Sequence, residues 1–232
     1  IYTKSDNIDD HLDHCDKVFD RLDMHGLTVK ASKTLLAHRK LPFLGHIIGA
    51  DGIEPDPKKL EAMAKLPLPE NIKSLRSILG TFSYYRKFIK NFSKIAAPLT
   101  ALTGGTKKPK KAPNKKLVLG EKEKEAFETL KKALISEPVC LAHPDWSLPF
   151  TFMTDASKQG LGGVISQMTD KGEQVIMHAS RSTNPMEKKY FSYELEALGV
   201  VWATEVFRHY VYGRKFTLVT DHQALKWMMS RD

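Results

Sequence analysis

The sequence predicts a chain of mixed α and β class, in which a mainly helical half precedes an α/β unit. Before residue 104, apolar residues recur mostly at helical spacing. Residues 149–220 instead give three strand-like runs, a helical pattern and a fourth strand-like run, an order typical of an α/β unit. A stretch rich in lysine, proline and glycine at 104–118 separates the two halves. We therefore expect a domain boundary within that stretch.

Charge and cysteine usage narrow the class of protein. The 232 residues carry 36 Lys and Arg against 27 Asp and Glu, a net charge of +9. Such a balance is typical of nucleic-acid-binding proteins, although a solvated basic surface would give the same number. Cys15 and Cys140 stand far apart, which excludes a disulfide framework or a cysteine metal motif and fits a reducing compartment. No apolar run approaches the ~18 residues that cross a bilayer, so no membrane partner is expected.

The first half reads as helices around one hairpin. Residues 9–26 carry an apolar helical stripe, and the acidic pair Asp9-Asp10 suits the first turn of that helix. A short strand is predicted at Leu27–Val29, followed by a hairpin with an Asp-Gly turn at 51–52. Capping and proline signals then predict three helices, at 57–66, 71–90 and 93–103.

The stretch at 104–118 is too polar and too rich in helix breakers to pack into a core. We interpret it as a flexible basic linker that is either a solvated spacer or an RNA-binding tail. After it, the pattern predicts a helix at 121–136, three strands at 149–155, 161–168 and 173–180, and a long helix at 186–209. A fourth strand at 215–220 and the start of another helix at 222 follow.

Three acidic residues stand where an α/β unit places functional groups. Asp155 and Asp221 each end an apolar strand-like run, and Glu196 lies in the long helix. Phosphodiester hydrolysis by two divalent ions ~3.5–4 Å apart needs such oxygen ligands. Asp155 could instead form a turn, Asp221 could cap the helix that follows it, and Glu194 is the other helical candidate. His178 and His222 are not assigned to a metal.

Motifs in a fixed order identify a family resemblance across nearly the whole chain. The chain resembles the Pol polyprotein of gypsy-type (metavirus) LTR retrotransposons, on the strength of Phe43-Leu44-Gly45-His46, Leu75-Arg76-Ser77-Ile78-Leu79-Gly80, Tyr84-Tyr85-Arg86-Lys87-Phe88-Ile89, Ala97-Pro98-Leu99-Thr100, Thr154-Asp155-Ala156-Ser157, Phe207-Arg208-His209-Tyr210 and Thr220-Asp221-His222. The register of Glu196-Ala197-Leu198-Gly199 matches the family's helical carboxylate and favours Glu196 over Glu194.

The resemblance implies four parts and an activity. Residues 1–52 would be the end of a reverse transcriptase palm, 53–103 a helical thumb, 104–118 a linker and 119–232 an RNase H-like mixed sheet with flanking helices that is incomplete at its C-terminus. The implied activity is hydrolysis of the RNA strand of RNA–DNA hybrids. Its catalytic metal ligands would be Asp155, Glu196 and Asp221, and its cofactor Mg²⁺ or Mn²⁺.

The resemblance also implies contacts with nucleic acid. Basic and aromatic side chains on the thumb-like helix, together with two polar residues of the sheet unit, are the candidates: Arg76, Tyr84, Arg86, Lys87, Ser157 and Arg181. Phe82, Tyr85 and Phe88 are expected in the core instead. The run Phe43-Leu44-Gly45 resembles the element that positions the primer terminus, or is simply a buried hairpin.

Two departures from the family pattern set the alternative. The polymerase signature Tyr-x-Asp-Asp is absent, so we expect a fragment without polymerase activity. The family's RNase H site also has a fourth carboxylate, which is expected beyond residue 232. The expected partners are the remaining Pol segments, with palm and fingers upstream and the rest of RNase H and integrase downstream. The expected location is intracellular, in a virus-like particle, the cytoplasm or the nucleus. The alternative is a catalytically inactive nucleic-acid-binding or connection-type remnant.

Overall fold

The computed structural model describes residues 1, 3–5, 7–104, 117–135, 140–221 and 223. It divides into two compact units, Ile1–Ala50 and Asp51–Asp232. The predicted linker falls largely outside the described residues, and so do His222 and most of the last predicted helix. No helix in the described ranges combines the length and the apolarity needed to cross a bilayer.

The described residues of the first unit form one α-helix, a 3₁₀ turn at Ala31–Lys33 and a hairpin. Helix α1, Ile8–Met24, begins where the side chain of Asn7 accepts a hydrogen bond from the backbone N–H of Asp10. Strands β1, Lys40–Phe43, and β2, His46–Gly49, pair antiparallel across a two-residue turn at Leu44-Gly45. Both turn residues have positive φ, 46° and 72°, as a tight hairpin turn requires. This turn was not predicted from the sequence.

The strand predicted at Leu27–Val29 does not form. These residues follow Gly26, which has a left-handed φ of 64° just after the end of α1, and they form no regular structure. Leu27 and Val29 are both exposed. A three-residue run gains little as a strand unless a neighbour completes its ladder, and none of the described strands pairs with it.

The second unit begins with strand β3, Ile53–Pro55, and a set of helices. Helix α2, Pro57–Ala64, is capped by Asp56 and has proline at its first position. Helix α3, Ile72–Tyr84, starts with a reciprocal capping box between Asn71 and Ser74. Helix α4, Phe92–Leu102, follows Asn91, whose backbone is left-handed at φ 55°.

The helix predicted at 71–90 is shorter than expected. It ends at Tyr84, and residues 86–88 form a 3₁₀ turn instead. The tighter turn leaves Phe88 and Ile89 almost fully buried, at 2% exposure each. Burial of these two side chains offsets the lost helical hydrogen bonds, an effect of tertiary packing that local periodicity does not report.

Helix α5, Glu121–Ile135, completes the first core of the second unit. Phe127 on α5 meets Phe82 on α3 edge-on, with 6.2 Å between the ring centroids, and both side chains are fully buried. Leu75, Leu99 and Leu130 are likewise fully buried in this core. The aromatics Phe82, Tyr85 and Phe88 are core residues, as the sequence predicted.

A four-stranded mixed sheet follows, in the order β6-β5-β4-β7. Its strands are β4, Phe150–Ala156; β5, Gly160–Thr169; β6, Gly172–Ser182; and β7, Phe216–Val219. The first three pair antiparallel in sequence order, and β7 joins β4 in parallel. Each of these strands was predicted to within two residues at either end.

The long helix predicted at 186–209 is divided into three segments. A 3₁₀ turn at Glu187–Lys189 precedes helix α6, Ser192–Val206, which is followed by helix α7, Arg208–Val211. Asn184 accepts backbone hydrogen bonds at the start of the first segment, and Tyr190 then returns to an extended conformation. Phe152, Ile165 and Phe207 form the centre of a second core between α6, α7 and the sheet.

Candidate functional site

Asp155 lies near the end of β4, inside the sheet rather than at its margin. Strand β4 has β5 on one side and β7 on the other, and Asp155 is registered opposite Gly162 of β5. The side chains before it alternate, with Phe152 and Thr154 buried and Met153 and Asp155 exposed. The period of two that forms the strand therefore turns this carboxylate to the accessible side.

Asp221 lies beyond the end of the neighbouring parallel strand. The last registered pair between β4 and β7 is Met153 with Val219, and Asp155 and Asp221 each lie two residues further on. Carboxyl ends of parallel neighbours meet at one edge of a sheet, the place where α/β folds build sites. The two aspartates therefore project from the same end of adjacent strands.

Glu196 approaches this end of the sheet on α6. The helix lies against β4 at Gly199, where a Cβ atom would be 3.3 Å from the Cβ of Ala156. Glu196 precedes Gly199 by three residues, about one turn, so the two share a helix face. Glu196 is half-buried, and its Oε2 atom is shielded from solvent.

Glu194 has a different role from Glu196. Its Oε2 atom accepts a hydrogen bond from the backbone N–H of Phe191 at 2.8 Å. This contact satisfies one of the free N–H groups at the start of α6, where a carboxylate also complements the helix dipole. The structure thus gives Glu194 a capping function, and Glu196 as a metal ligand stays a prediction.

The three candidate carboxylates suit a divalent ion by chemistry but not by their present arrangement. Hard ions prefer oxygen ligands, and Asp155, Glu196 and Asp221 all supply them. Nowhere in the described ranges, however, do three side chains of His, Cys, Asp or Glu come close enough to hold a metal ion. The three residues lie at one end of the sheet, but α6 packs on the face of β4 that carries Thr154 and Ala156, whereas Asp155 points to the opposite face.

A residue of the helical part contacts Asp155. The side-chain amide of Asn91 donates to Asp155 Oδ2 at 3.2 Å. Sequence reasoning missed this residue because a single asparagine before a helix is ordinarily read as a cap. Asn91 makes no side-chain cap on α4.

His178 lies on β6 opposite Val164 of β5. Burial, helped by the positive charge of Lys90, lowers the pKa of His178 to about 4. Its Nδ1 atom is buried and has no hydrogen-bond partner among the described residues. His178 is therefore neutral near pH 7 and partly buried on β6.

Comparison with known proteins places this arrangement in a family. Residues 119–218 match the family model of the RNase H-like domain found in reverse transcriptase. The chain is 39% identical over 224 residues to the retrovirus-related Pol polyprotein from transposon 297 of Drosophila melanogaster. It is 37% identical over 230 residues to the one from transposon gypsy of the same species. Each alignment covers 97% of this chain.

The chain belongs to the gypsy-type retrotransposon Pol family. It spans about a fifth of these relatives, 20% of the transposon 297 polyprotein and 22% of the gypsy polyprotein. The region that it represents is the reverse transcriptase and RNase H-like region of a Pol polyprotein.

Solved structures share the fold. The foamy viral protease–reverse transcriptase in complex with RNA/DNA hybrid matches 96% of this chain and 30% of its own, with a TM-score of 0.77 and 24% identity. The dRH form of that protein in complex with double-stranded DNA matches 97% of this chain and 38% of its own, with a TM-score of 0.78 and 24% identity. These matches confirm the predicted α+β architecture with an RNase H-like sheet.

The residues of this Pol chain that are predicted to contact nucleic acid differ in their exposure and in the contacts that they make within the fold. Tyr84 is 51% exposed. Arg76 is exposed as well, and it donates to the backbone carbonyl of Thr103 at 2.9 Å. Arg86 donates to the carbonyl of Ser180, and burial lowers the pKa of both Arg86 and Lys87. Arg76 and Tyr84 are thus the more accessible members of this set.

The sheet-unit candidates also make internal contacts. The guanidinium of Arg181 donates to both carboxylate oxygens of Glu187, at 2.7 and 2.9 Å, and lies over the ring of Trp202. The hydroxyl of Ser157 donates to Gly160 O in the turn between β4 and β5. Their role in binding nucleic acid stays a prediction.

The run Phe43-Leu44-Gly45 forms the end of β1 and its turn. Phe43 is 43% exposed and Leu44 is 72% exposed, so these two side chains are not buried as the alternative interpretation required. Exposed apolar side chains on a rigid hairpin turn are available for contact with a ligand. Primer positioning itself stays a prediction.

Proposed function

We propose that this chain supplies the RNase H activity of a retrotransposon reverse transcriptase, hydrolysing the RNA strand of RNA–DNA hybrids. The observation that supports this most directly is that Asp155, Asp221 and the helix that carries Glu196 all lie at one end of the mixed sheet. One aspartate comes from β4, the other from the residues after its parallel neighbour β7, and the glutamate from the helix packed on β4.

The proposed cofactor is Mg²⁺ or Mn²⁺. Such ions activate a water and stabilise the leaving oxygen in phosphodiester hydrolysis. The role of this chain's residues is to supply oxygen ligands from strand β4, helix α6 and the residues just after β7, and helices and strands position side chains more accurately than loops do. Because the side chains are not yet grouped, the proposal includes their convergence when the ion and the hybrid bind.

The proposed substrate is recognised through shape and phosphates. The net charge of +9 favours a polyanion, and exposed Arg76 and Tyr84 offer a cation and a ring on the helical part. We further propose that residues 1–52, 53–103 and 119–232 correspond to the palm end, the thumb and the RNase H domain. The rest of the Pol polyprotein, with the polymerase site and integrase, would be the partner of this segment.

The test is cleavage of an RNA–DNA hybrid labelled on the RNA strand, with Mg²⁺ or Mn²⁺. We expect cleavage by the wild-type chain, none in excess EDTA, and a loss of at least ~100-fold in Asp155→Asn. Asn keeps the shape of the side chain but removes the negative charge that binds a cation. Asp145→Asn is the matched control, because Asp145 is an exposed aspartate in a turn before β4.

Two outcomes would contradict the proposal. Equal cleavage by wild type and Asp155→Asn would show that the activity does not come from this site. Hybrid binding that weakens with salt, without cleavage by either protein, would instead support the catalytically inactive nucleic-acid-binding alternative.

A further inference from the structure

The contact between Asn91 and Asp155 joins the helical part of the chain to the candidate site. Asn91 belongs to the segment between α3 and α4, and Asp155 to β4, 64 residues later in the sequence. Its amide nitrogen lies 3.2 Å from Asp155 Oδ2. Asn91 lies outside residues 119–218, which match the RNase H-like family model.

The backbone around Asn91 is arranged for this contact. Asn91 has a φ of 55° and a ψ of 32°, a left-handed conformation that asparagine tolerates better than most residues. Its side chain makes no cap on α4, although it stands at the cap position. The conformation therefore directs the amide to the sheet rather than to its own helix.

Two further contacts fix the segment around Asn91 on β6. Arg86 donates to the backbone carbonyl of Ser180, and the backbone N–H of Ser93 donates to the Ser180 hydroxyl at 3.0 Å. Ser93 and Ser180 are both buried. Asn91 thus approaches Asp155 from a segment that is held on both sides.

Strand β5, next to β4, leaves room for the contact between Asn91 and Asp155. Gly162 is the registered partner of Asp155 on β5, and a Cβ atom at Gly162 would overlap Asn91 Oδ1. A glycine in a strand interior weakens the strand and is explained by a close approach of another group. Here that group is the Asn91 side chain.

From these contacts we propose that Asn91 is a positioning residue for Asp155. The inference rests on the proposed function, since it gives Asn91 a part in the same site. The amide holds Oδ2, which fixes the direction of the carboxylate and leaves Oδ1 for a cation or substrate. Groups that hold ligating carboxylates in this way typically affect metal affinity or activity by ~10- to 100-fold.

Two variants of Asn91 distinguish the hydrogen bond that its amide donates from the space that its side chain fills. Asn91→Asp keeps the size and the tolerance for a left-handed backbone but replaces the donor with a second negative charge. Asn91→Gly removes the amide without backbone strain. We expect kcat for hybrid cleavage to fall ~10- to 100-fold in both, more in Asn91→Asp, with KM little changed.

Gly162→Ala tests the contact from the other side. The added methyl group displaces the Asn91 side chain, and we expect the same selective loss of kcat. Gly80→Ala is its matched control, because a Cβ at exposed Gly80 on α3 meets nothing within 4 Å. Unchanged kcat in Gly162→Ala and both Asn91 variants would overturn the inference. A rise in kcat would overturn it as well, since the contact would then hold Asp155 away from its place.

A readout without metal or substrate separates this inference from the proposed function. The side-chain amide signals of Asn91 in a ¹⁵N–¹H spectrum are identified by their loss in Asn91→Gly. We expect them to move in Asp155→Ala and to stay in place in Asp145→Ala. If the wild-type chain cleaves no hybrid, the proposed function fails, and these signals still decide whether Asn91 holds Asp155. If the Asn91 amide signals do not move in Asp155→Ala, the inference is overturned.

Discussion

At the scale of single residues, burial decides the protonation of His178. The ring lies on β6 and is partly shielded from water, and the charge of Lys90 nearby further disfavours the imidazolium. In the unfolded chain this histidine would titrate at its ordinary value near 6.5. Its folded pKa of about 4 means that the folded protein binds fewer protons between these two values.

The pH dependence of stability follows from that difference. Because the unfolded state binds more protons, His178 contributes stability that is fully present above pH ~6.5 and is lost as pH falls toward ~4. A shift of this size corresponds to at most ~3 kcal/mol. We expect the unfolding free energy of His178→Gln to depend less on pH across this window than that of the wild type.

Urea unfolding at several pH values checks this prediction. His209→Gln is the matched control, because His209 is exposed on α7. Equal slopes for wild type and His178→Gln between pH 4 and pH 6.5 would show that His178 is not shielded as described.

Local chemistry is enough to name the candidate carboxylates at the residue scale, and their role as metal ligands stays a prediction. Asp155 ends an apolar run and Glu196 lies in a helix with apolar periodicity, and the structure places both residues near the same end of β4. Asn91 could not be found in this way. Its role depends on a left-handed backbone and on a glycine 71 positions away, neither of which leaves a periodic pattern.

At the scale of secondary structure elements, the position of α6 depends on Gly199. The helix approaches β4 so closely that a Cβ atom at residue 199 would be 3.3 Å from Ala156 Cβ and 4.0 Å from Thr154 Cβ. Because α6 also carries Glu196, its distance from β4 sets where that carboxylate stands. Packing of this element and geometry of the candidate site are therefore linked.

Enlarging Gly199 should damage both stability and the site. We expect Gly199→Val to lower the unfolding free energy by ~1–3 kcal/mol, the usual cost of overpacking a buried contact. Hybrid cleavage should fall further than the folded fraction does, because α6 is pushed away from β4 together with Glu196. Gly80→Val on α3 is the control, since the added side chain there enters open space. Equal losses in the two variants would refute the argument from close packing.

Prediction of the elements failed mainly at breaks inside helical patterns. Residues 71–90 and 186–209 each have apolar residues at helical spacing, and each was predicted as one helix. The structure interrupts the first after Tyr84 and the second around Tyr190. In both cases the interruption depends on partners distant in space or on specific capping groups, including Ser180 for Arg86 and Asn184 for Glu187. Periodicity detects an apolar face but not these competing contacts.

At the scale of the whole molecule, the dominant property is the excess of positive charge. The chain has 36 basic and 27 acidic side chains among its 232 residues. Charge of this kind attracts the phosphate backbone without reading sequence, and binding then releases counterions from the nucleic acid. Affinity for an RNA–DNA hybrid should therefore fall steadily as salt increases, whether or not the chain cleaves it.

The contribution of a single cation can be measured from that salt dependence. A residue that neutralises one phosphate contributes about 0.9 to the slope of log K against log salt. Arg76 is exposed on α3, and we expect Arg76→Ala to reduce the slope by about that amount. Lys17→Ala is the control, because Lys17 is exposed on α1 and paired with Asp13 at 2.8 Å. Fluorescence anisotropy in EDTA measures binding without cleavage. If Arg76→Ala kept the wild-type slope, Arg76 would contact no phosphate, and the charge that binds the hybrid would lie elsewhere on the molecule.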